Sequence, residues 1–224
     1  MDQVNTSTKI LSLAYFITGS AFMVFQNDMT FLPGLIMKSL IIPILMILFI
    51  INIKLFANRL NLIMFAGLFF SWAGDVVLEF EGLFIPGLVC FLLAHLMYLI
   101  VFFKTPGKNV IFLNRWYLLI PVILSGTGLV FYLYNDLAAM KIPVIIYSIV
   151  ILTMLTAAIN RLEKVNRASY YFVLAGAILF VISDSAIAIN KFIHPFESSG
   201  IVVMTSYIIA QYLIVSGFIK QSNR

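Results

Sequence analysis

Cysteine is almost missing from this sequence. Cys90 stands alone, so no internal disulfide can form, and the redox compartment is left unread. Histidine is nearly as scarce, with His95 and His194 only. A catalytic zinc site takes three protein ligands as a rule, and no local spacing groups either histidine with other donors, so no metal is expected. No cofactor is expected either, because the chain has no phosphate loop, no Gly-x-Ser-x-Gly elbow and no dinucleotide fingerprint. Charge is the largest deficit. Only 10% of the residues are charged and 62% are hydrophobic, against roughly 25% and 45–50% in a water-soluble domain. With a mean hydropathy of +1.08, that balance excludes a soluble fold and makes lipid the solvent.

What is present is a series of apolar runs. A spanning helix needs about 20 mostly apolar residues. The candidates are Ile10–Phe25, Phe31–Ile53, Leu60–Phe80, Leu83–Phe103, Trp116–Tyr134, Ile142–Ile159, Ala168–Ile189 and Gly200–Ile219. Backbone polar groups have to be satisfied inside lipid, so runs this apolar and closely spaced should be helices. Gaps such as Gln26–Thr30, Glu81–Gly82 and Asn135–Lys141 are too short for a soluble domain. The expectation is one all-α transmembrane domain over residues 1–224, a polytopic bundle of about eight spans. Only Lys9 precedes the first run, which lacks a small-residue cleavage site, so that run reads as a retained span.

The net charge of +5 does not point to nucleic acid, because the basic residues sit in the gaps, where they orient a membrane protein. One side collects Lys9, Lys54, Arg59, Lys104, Lys108, Arg115, Arg161, Lys164, Arg167, Lys220 and Arg224. The other has Lys141 and Lys191. This bias puts both termini in the cytoplasm, and the compact, short-looped chain suits a bacterial inner membrane. In that orientation Lys38, Asp75 and Asp184 fall in the outer half of the bundle, with His95, Tyr98, Tyr207 and Gln211 near mid-depth.

Those side chains are the candidates for chemistry. An aspartate at a helix centre costs about 2.5–3.5 kcal/mol on insertion scales, so Asp75 and Asp184 must face protein or water. Ser71 lies four residues before Asp75 on the same helix face, and Gly67 continues that stripe. Ser183 adjoins Asp184. Lys38 is isolated in an apolar helix and needs a counter-charge: it either snorkels outward or, functionally, pairs with Asp75 or Asp184 or holds a lipid phosphate. His95 shares a face with Phe84, Gly87, Phe91 and Tyr98, while Tyr207 and Gln211 stand one turn apart. The blander reading makes all of these helix-to-helix hydrogen-bond glue. Glu79 and Glu81 read as solvated boundary residues.

A shift of 109 residues places Asp75 on Asp184, Ala66-Gly67 on Ala175-Gly176, Tyr98 on Tyr207, and Lys38 on Tyr147. Four helices separate the halves, so a duplication would be a parallel four-plus-four repeat with the aspartates facing each other near its axis.

On these residues the sequence resembles the YhhN-like lysoplasmalogenase family of integral membrane proteins. The resemblance rests on Lys38, on Phe70-Ser71-x-x-Gly74-Asp75-x-x-Leu78, and on Phe91-x-x-x-His95-x-x-Tyr98. It continues through Tyr147, Gly176-Ala177-x-Leu179-Phe180-x-x-Ser183-Asp184 and Tyr207-x-x-x-Gln211-Tyr212. Ser39 departs from it, standing where proline is expected after the lysine, with Pro43 further along. The resemblance implies hydrolysis of the vinyl ether of a lysoplasmalogen to a fatty aldehyde and a glycerophospho-ethanolamine or glycerophospho-choline. Asp75 and Asp184 would be the catalytic pair, with Lys38, Ser71, His95, Tyr98, Tyr147, Ser183, Tyr207 and Gln211 around the lysophospholipid.

Two other functions fit two intramembrane carboxyls. An intramembrane aspartyl protease normally carries Gly-x-Gly-Asp, but Trp72 occupies the first glycine position and no Pro-Ala-Leu follows. A small transporter or proton-coupled carrier would use a parallel repeat and midplane carboxyls equally well.

Overall fold

A computed structural model describes residues 2–26, 30–107, 111 and 115–222. Lys108 and Arg224, two of the orienting charges, and positions 27–29 of the first gap lie outside the described residues. Eight helices follow one another: α1 (Asp2–Phe25), α2 (Phe31–Asn52), α3 (Arg59–Val77), α4 (Phe84–Phe103), α5 (Leu119–Leu133), α6 (Lys141–Ile159), α7 (Arg167–Phe192) and α8 (Ser199–Ser222). Short 3-10 turns at Leu55–Ala57, Trp116–Leu118 and Ala138–Met140 precede α3, α5 and α6. Among the described residues, eight segments are long and apolar enough to cross a membrane. Large apolar side chains such as Val24, Phe131 and Ile142 are exposed on their outer faces. The protein is an integral membrane protein of all-α class.

Proline marks where these helices begin. Pro33, Pro86, Pro121 and Pro143 each occupy the third residue of α2, α4, α5 and α6. A first-turn N–H has no acceptor within its helix, so its loss there costs nothing. Asn58 and Asn166 cap α3 and α7, their side chains accepting from the Leu60 and Ser169 backbone N–H groups. Pro43 is the exception, lying inside α2. Its missing N–H leaves the Ser39 carbonyl without its helical donor. The Trp72 indole of α3 supplies one, donating to Ser39 O at 3.0 Å. The departure at Ser39 and Pro43 therefore leaves α2 continuous and ties it to α3.

The chain packs as two compact units, Met1–Tyr98 and Leu99–Arg224, the division falling within α4. In the first unit Asn52 Nδ2, at the end of α2, donates to Thr8 Oγ1 of α1 at 3.0 Å. Glycine sets the approach of α3 to α4. A Cβ on Gly67 would lie 2.5 Å from the Tyr98 ring, and one on Gly74 would lie 2.7 Å from the Phe91 ring. In the second unit α7 and α8 are equally close. A Cβ on Gly176 would sit 2.8 Å from the Ala210 carbonyl, and one on Gly217 would sit 2.6 Å from Val173. A cluster of Leu133, Leu137 and Val144 fills the space between α5 and α6.

Candidate active site

Residues 61, 64, 67, 68, 71, 74 and 75 of α3 are its buried positions, a helical stripe that includes Ser71, Gly74 and Asp75. The glycines bring α4 close, with the Tyr98 ring against Gly67. His95 and Tyr98 are fully buried and Asp75 is 4% exposed. Ser71 Oγ is buried with no hydrogen-bond partner among the described residues. Tyr15 of α1 joins the group, fully buried and within electrostatic reach of Asp75 and Tyr98. The first unit thus encloses a carboxyl, an imidazole, a hydroxyl and two phenols in an otherwise apolar bundle.

Lys38 stands at the edge of this group. Its ammonium donates to Glu79 Oε1 at 2.6 Å, with the two side chains 14% and 27% exposed. The ammonium reaches outward, as the snorkelling reading has it, with Glu79 as its counter-charge in place of Asp75 or Asp184, and Glu79 is a half-buried partner instead of a solvated boundary residue. The reason is reach. Helix α3 ends at Val77, so Glu79 lies at the end of the span, and the long lysine stem lifts its charge to that level, past Asp75 one turn deeper.

In the second unit Asp184 is half-buried, and the Tyr147 hydroxyl of α6 donates to its Oδ2 in a short hydrogen bond. Ser183 is buried, and its Oγ donates to the Val203 carbonyl of α8 at 3.1 Å, so its proton is committed to helix packing. Tyr207 and Gln211 of α8 are buried, with the Tyr207 ring edge-on to Phe180 of α7 at 5.5 Å between centroids. A phenol donating to a carboxylate fixes its orientation and supports its charge. The arrangement gives Asp184 a firmly held carboxyl group.

Sequence reading gathered the candidates around one lysophospholipid site, whereas the structure sets Ser71, Asp75, His95 and Tyr98 in the first unit and Tyr147 with Asp184 in the second. It gave Tyr15 no role and took Glu79 for a solvated boundary residue. Tyr15 has no counterpart under the 109-residue shift, where leucine stands at Leu124, and a lone tyrosine in an apolar span carries no local signal.

A model of the YhhN family matches residues 34–218. The chain is similar to lysoplasmalogenase TMEM86A of Bos taurus, with 35% identity over 155 residues, covering 67% of this chain and 62% of that protein. It is similar to lysoplasmalogenase TMEM86B of Homo sapiens, 31% identical over 144 residues, which cover 64% of this chain and 58% of the relative. A lysoplasmalogenase of Mycobacterium tuberculosis is 30% identical over 138 residues, 60% of this chain and 51% of the relative. These matches span between about half and three fifths of the relatives' lengths. No solved structure matches. The family match takes in most of α2 through most of α8, with both aspartates inside it, and the chain belongs to the YhhN family.

Proposed function

We propose that the protein hydrolyses the vinyl ether bond of a lysoplasmalogen, releasing a fatty aldehyde and a glycerophospho-ethanolamine or glycerophospho-choline. The observation that carries this reading is a pair of aspartates, each set within a spanning helix among polar side chains, in a chain whose relatives bear the name lysoplasmalogenase.

Vinyl ether hydrolysis suits two carboxyls. A proton adds to the alkenyl carbon remote from oxygen, leaving an oxocarbenium ion. Water adds to the cationic carbon and gives up a proton. The resulting hemiacetal collapses to aldehyde and alcohol. One neutral carboxylic acid has to donate, and one carboxylate has to support the cation and direct the water, the division of labour used in glycoside hydrolysis. We assign the donor role to Asp75, in the drier setting. Asp184, held by Tyr147, is the carboxylate that supports the cation and accepts the water proton. The Lys38 ammonium keeps two N–H donors beyond the one on Glu79 and reaches for the substrate phosphate. Ser71, His95, Tyr98, Tyr207 and Gln211 orient water and substrate. The protein sits in a bacterial inner membrane with both termini cytoplasmic.

Incubating the purified protein with an alkenyl lysophospholipid and measuring free aldehyde tests the reading directly. Asp75→Asn and Asp184→Asn should each lower turnover by about a hundredfold or more, the usual scale of a general acid or base, with helix content unchanged by circular dichroism. Full activity in both variants ends the two-carboxyl scheme. Absence of aldehyde, with gradient-driven uptake in liposomes, would make the protein a carrier.

A further inference from the structure

The second unit buries a cation that no acid among the described residues pairs with. Arg161 follows α6 in the turn leading to α7 and is 1% exposed, although its place in a basic gap reads as a solvated, orienting charge. Its Nη2 donates to Ser169 Oγ at 3.0 Å and to Gln221 Oε1 at 2.7 Å. Ser169 Oγ donates onward to the Gly217 carbonyl at 2.7 Å, and the Phe102 ring lies 5.4 Å from the guanidinium. Nε and Nη1 have no hydrogen-bond partner among the described residues. Glu163, the nearest acid in sequence, is exposed and faces Arg115 at 3.3 Å. Burial brings the guanidinium pKa down to about 10, so Arg161 is still a cation at neutral pH. A buried charge with several unused donors is costly unless an anion completes it.

We propose that Arg161 anchors a phosphate-binding site at this end of the second unit, taking the phosphate of an anionic lipid or free phosphate. A planar guanidinium with unused N–H groups on two edges matches phosphate oxygens. Entry is from the side of Gln221, half-buried near the end of α8, whose neutral amide oxygen is the ligand that a phosphate oxygen replaces at Nη2. Asn166 Nδ2 donates to the Lys220 carbonyl at 2.9 Å, which brings exposed Lys220 and Arg167 to the same rim and draws anions to it. The site is distinct from Asp184, which lies fifteen residues beyond Ser169 along α7, roughly 22 Å at 1.5 Å per residue.

Thermal unfolding of the full-length protein in an uncharged detergent tests this without reference to turnover. One arm adds inorganic phosphate against chloride at matched ionic strength. The other adds phosphatidylglycerol against phosphatidylcholine in mixed micelles. At least one anion should raise the melting temperature by about 2–4 °C near saturation, and the arm that responds names the source. Arg161→Gln should abolish the shift. Gln221→Ala, which frees Nη2, should lower the half-saturating concentration, and this comparison decides the matter if Arg161→Gln does not fold. The proposal is overturned if neither anion shifts the wild type, if folded Arg161→Gln shifts equally, or if Gln221→Ala binds no better than the wild type.

Discussion

Replacing Tyr147 by Phe keeps the ring and removes a single O–H, the one donated to Asp184 Oδ2. Hydrogen bonds to charged groups contribute about 1.5–3 kcal/mol. At 1.36 kcal/mol per factor of ten, full expression of that bond in the transition state would slow turnover by about tenfold to 150-fold. Asp184 is half-buried, so solvent or lipid head groups replace part of the lost interaction, and the lower part of that range is expected. The variant should lose kcat while KM holds if, as proposed, the bond supports the carboxylate that meets the developing cation. A bond serving as helix glue alone behaves differently. It would cost about 0.6 kcal/mol of stability, the mean for interhelical bonds in membranes, and leave kcat alone. The assay is steady-state aldehyde release from an alkenyl lysophospholipid, paired with a detergent melt. In an Asp184→Asn background the Tyr147→Phe change should add almost nothing to the rate loss, because the two groups act as one. A Tyr147→Phe variant with wild-type kcat, or full additivity with Asp184→Asn, rules out this role for Tyr147.

Trp72→Phe removes the donor to the Ser39 carbonyl and should destabilise the protein by about 0.5–1.5 kcal/mol in a reversible detergent unfolding titration. Pro43→Ala restores the helical N–H, so Trp72→Phe should cost less in that background, and equal cost in both would refute the assignment. Gly176→Ala drives a Cβ to 2.8 Å from the Ala210 carbonyl and 3.0 Å from the Ile214 backbone nitrogen. Backbone cannot step aside cheaply, so α7 and α8 must separate, and a loss of about 1–3 kcal/mol should appear in the same titration.

The eight helices were legible because lipid leaves so few options: a long apolar run with short polar flanks is a span. Boundaries moved by a few residues where local turns intervene. Helix α3 was expected to reach Phe80 but ends at Val77, as the chain turns toward Gly82, whose φ of +79° suits glycine. Which face of each helix is buried was far less legible, because these helices are apolar all round and carry little amphipathic signal. Small and polar residues filled the gap. Gly67, Ser71 and Asp75 marked the buried stripe of α3 correctly, since only small residues allow close approach and polar ones avoid lipid. Partners of long side chains were the least legible. Lys38 on Glu79 and Arg161 on Gln221 depend on how far a flexible stem reaches and how a neighbouring helix is rotated, and residue spacing specifies neither.

The 109-residue shift sharpens the functional argument when applied to partners as well as positions. It carries α2 onto α6 and α3 onto α7, and it sets Lys38 against Tyr147. These equivalent residues then choose different carboxylates. Tyr147 takes Asp184, while Lys38 takes Glu79, one turn beyond Asp75. Asp75 keeps a different company: Ser71 on its own buried face and the Tyr15 phenol within electrostatic reach. Two aspartates at matching positions are thereby given unlike surroundings, Asp184 half-buried and bonded to Tyr147, Asp75 buried one turn from the Glu79 that holds the Lys38 ammonium. A reaction that needs one carboxyl with its proton and one without it requires that kind of asymmetry, and a scaffold with two identical sites would lack it.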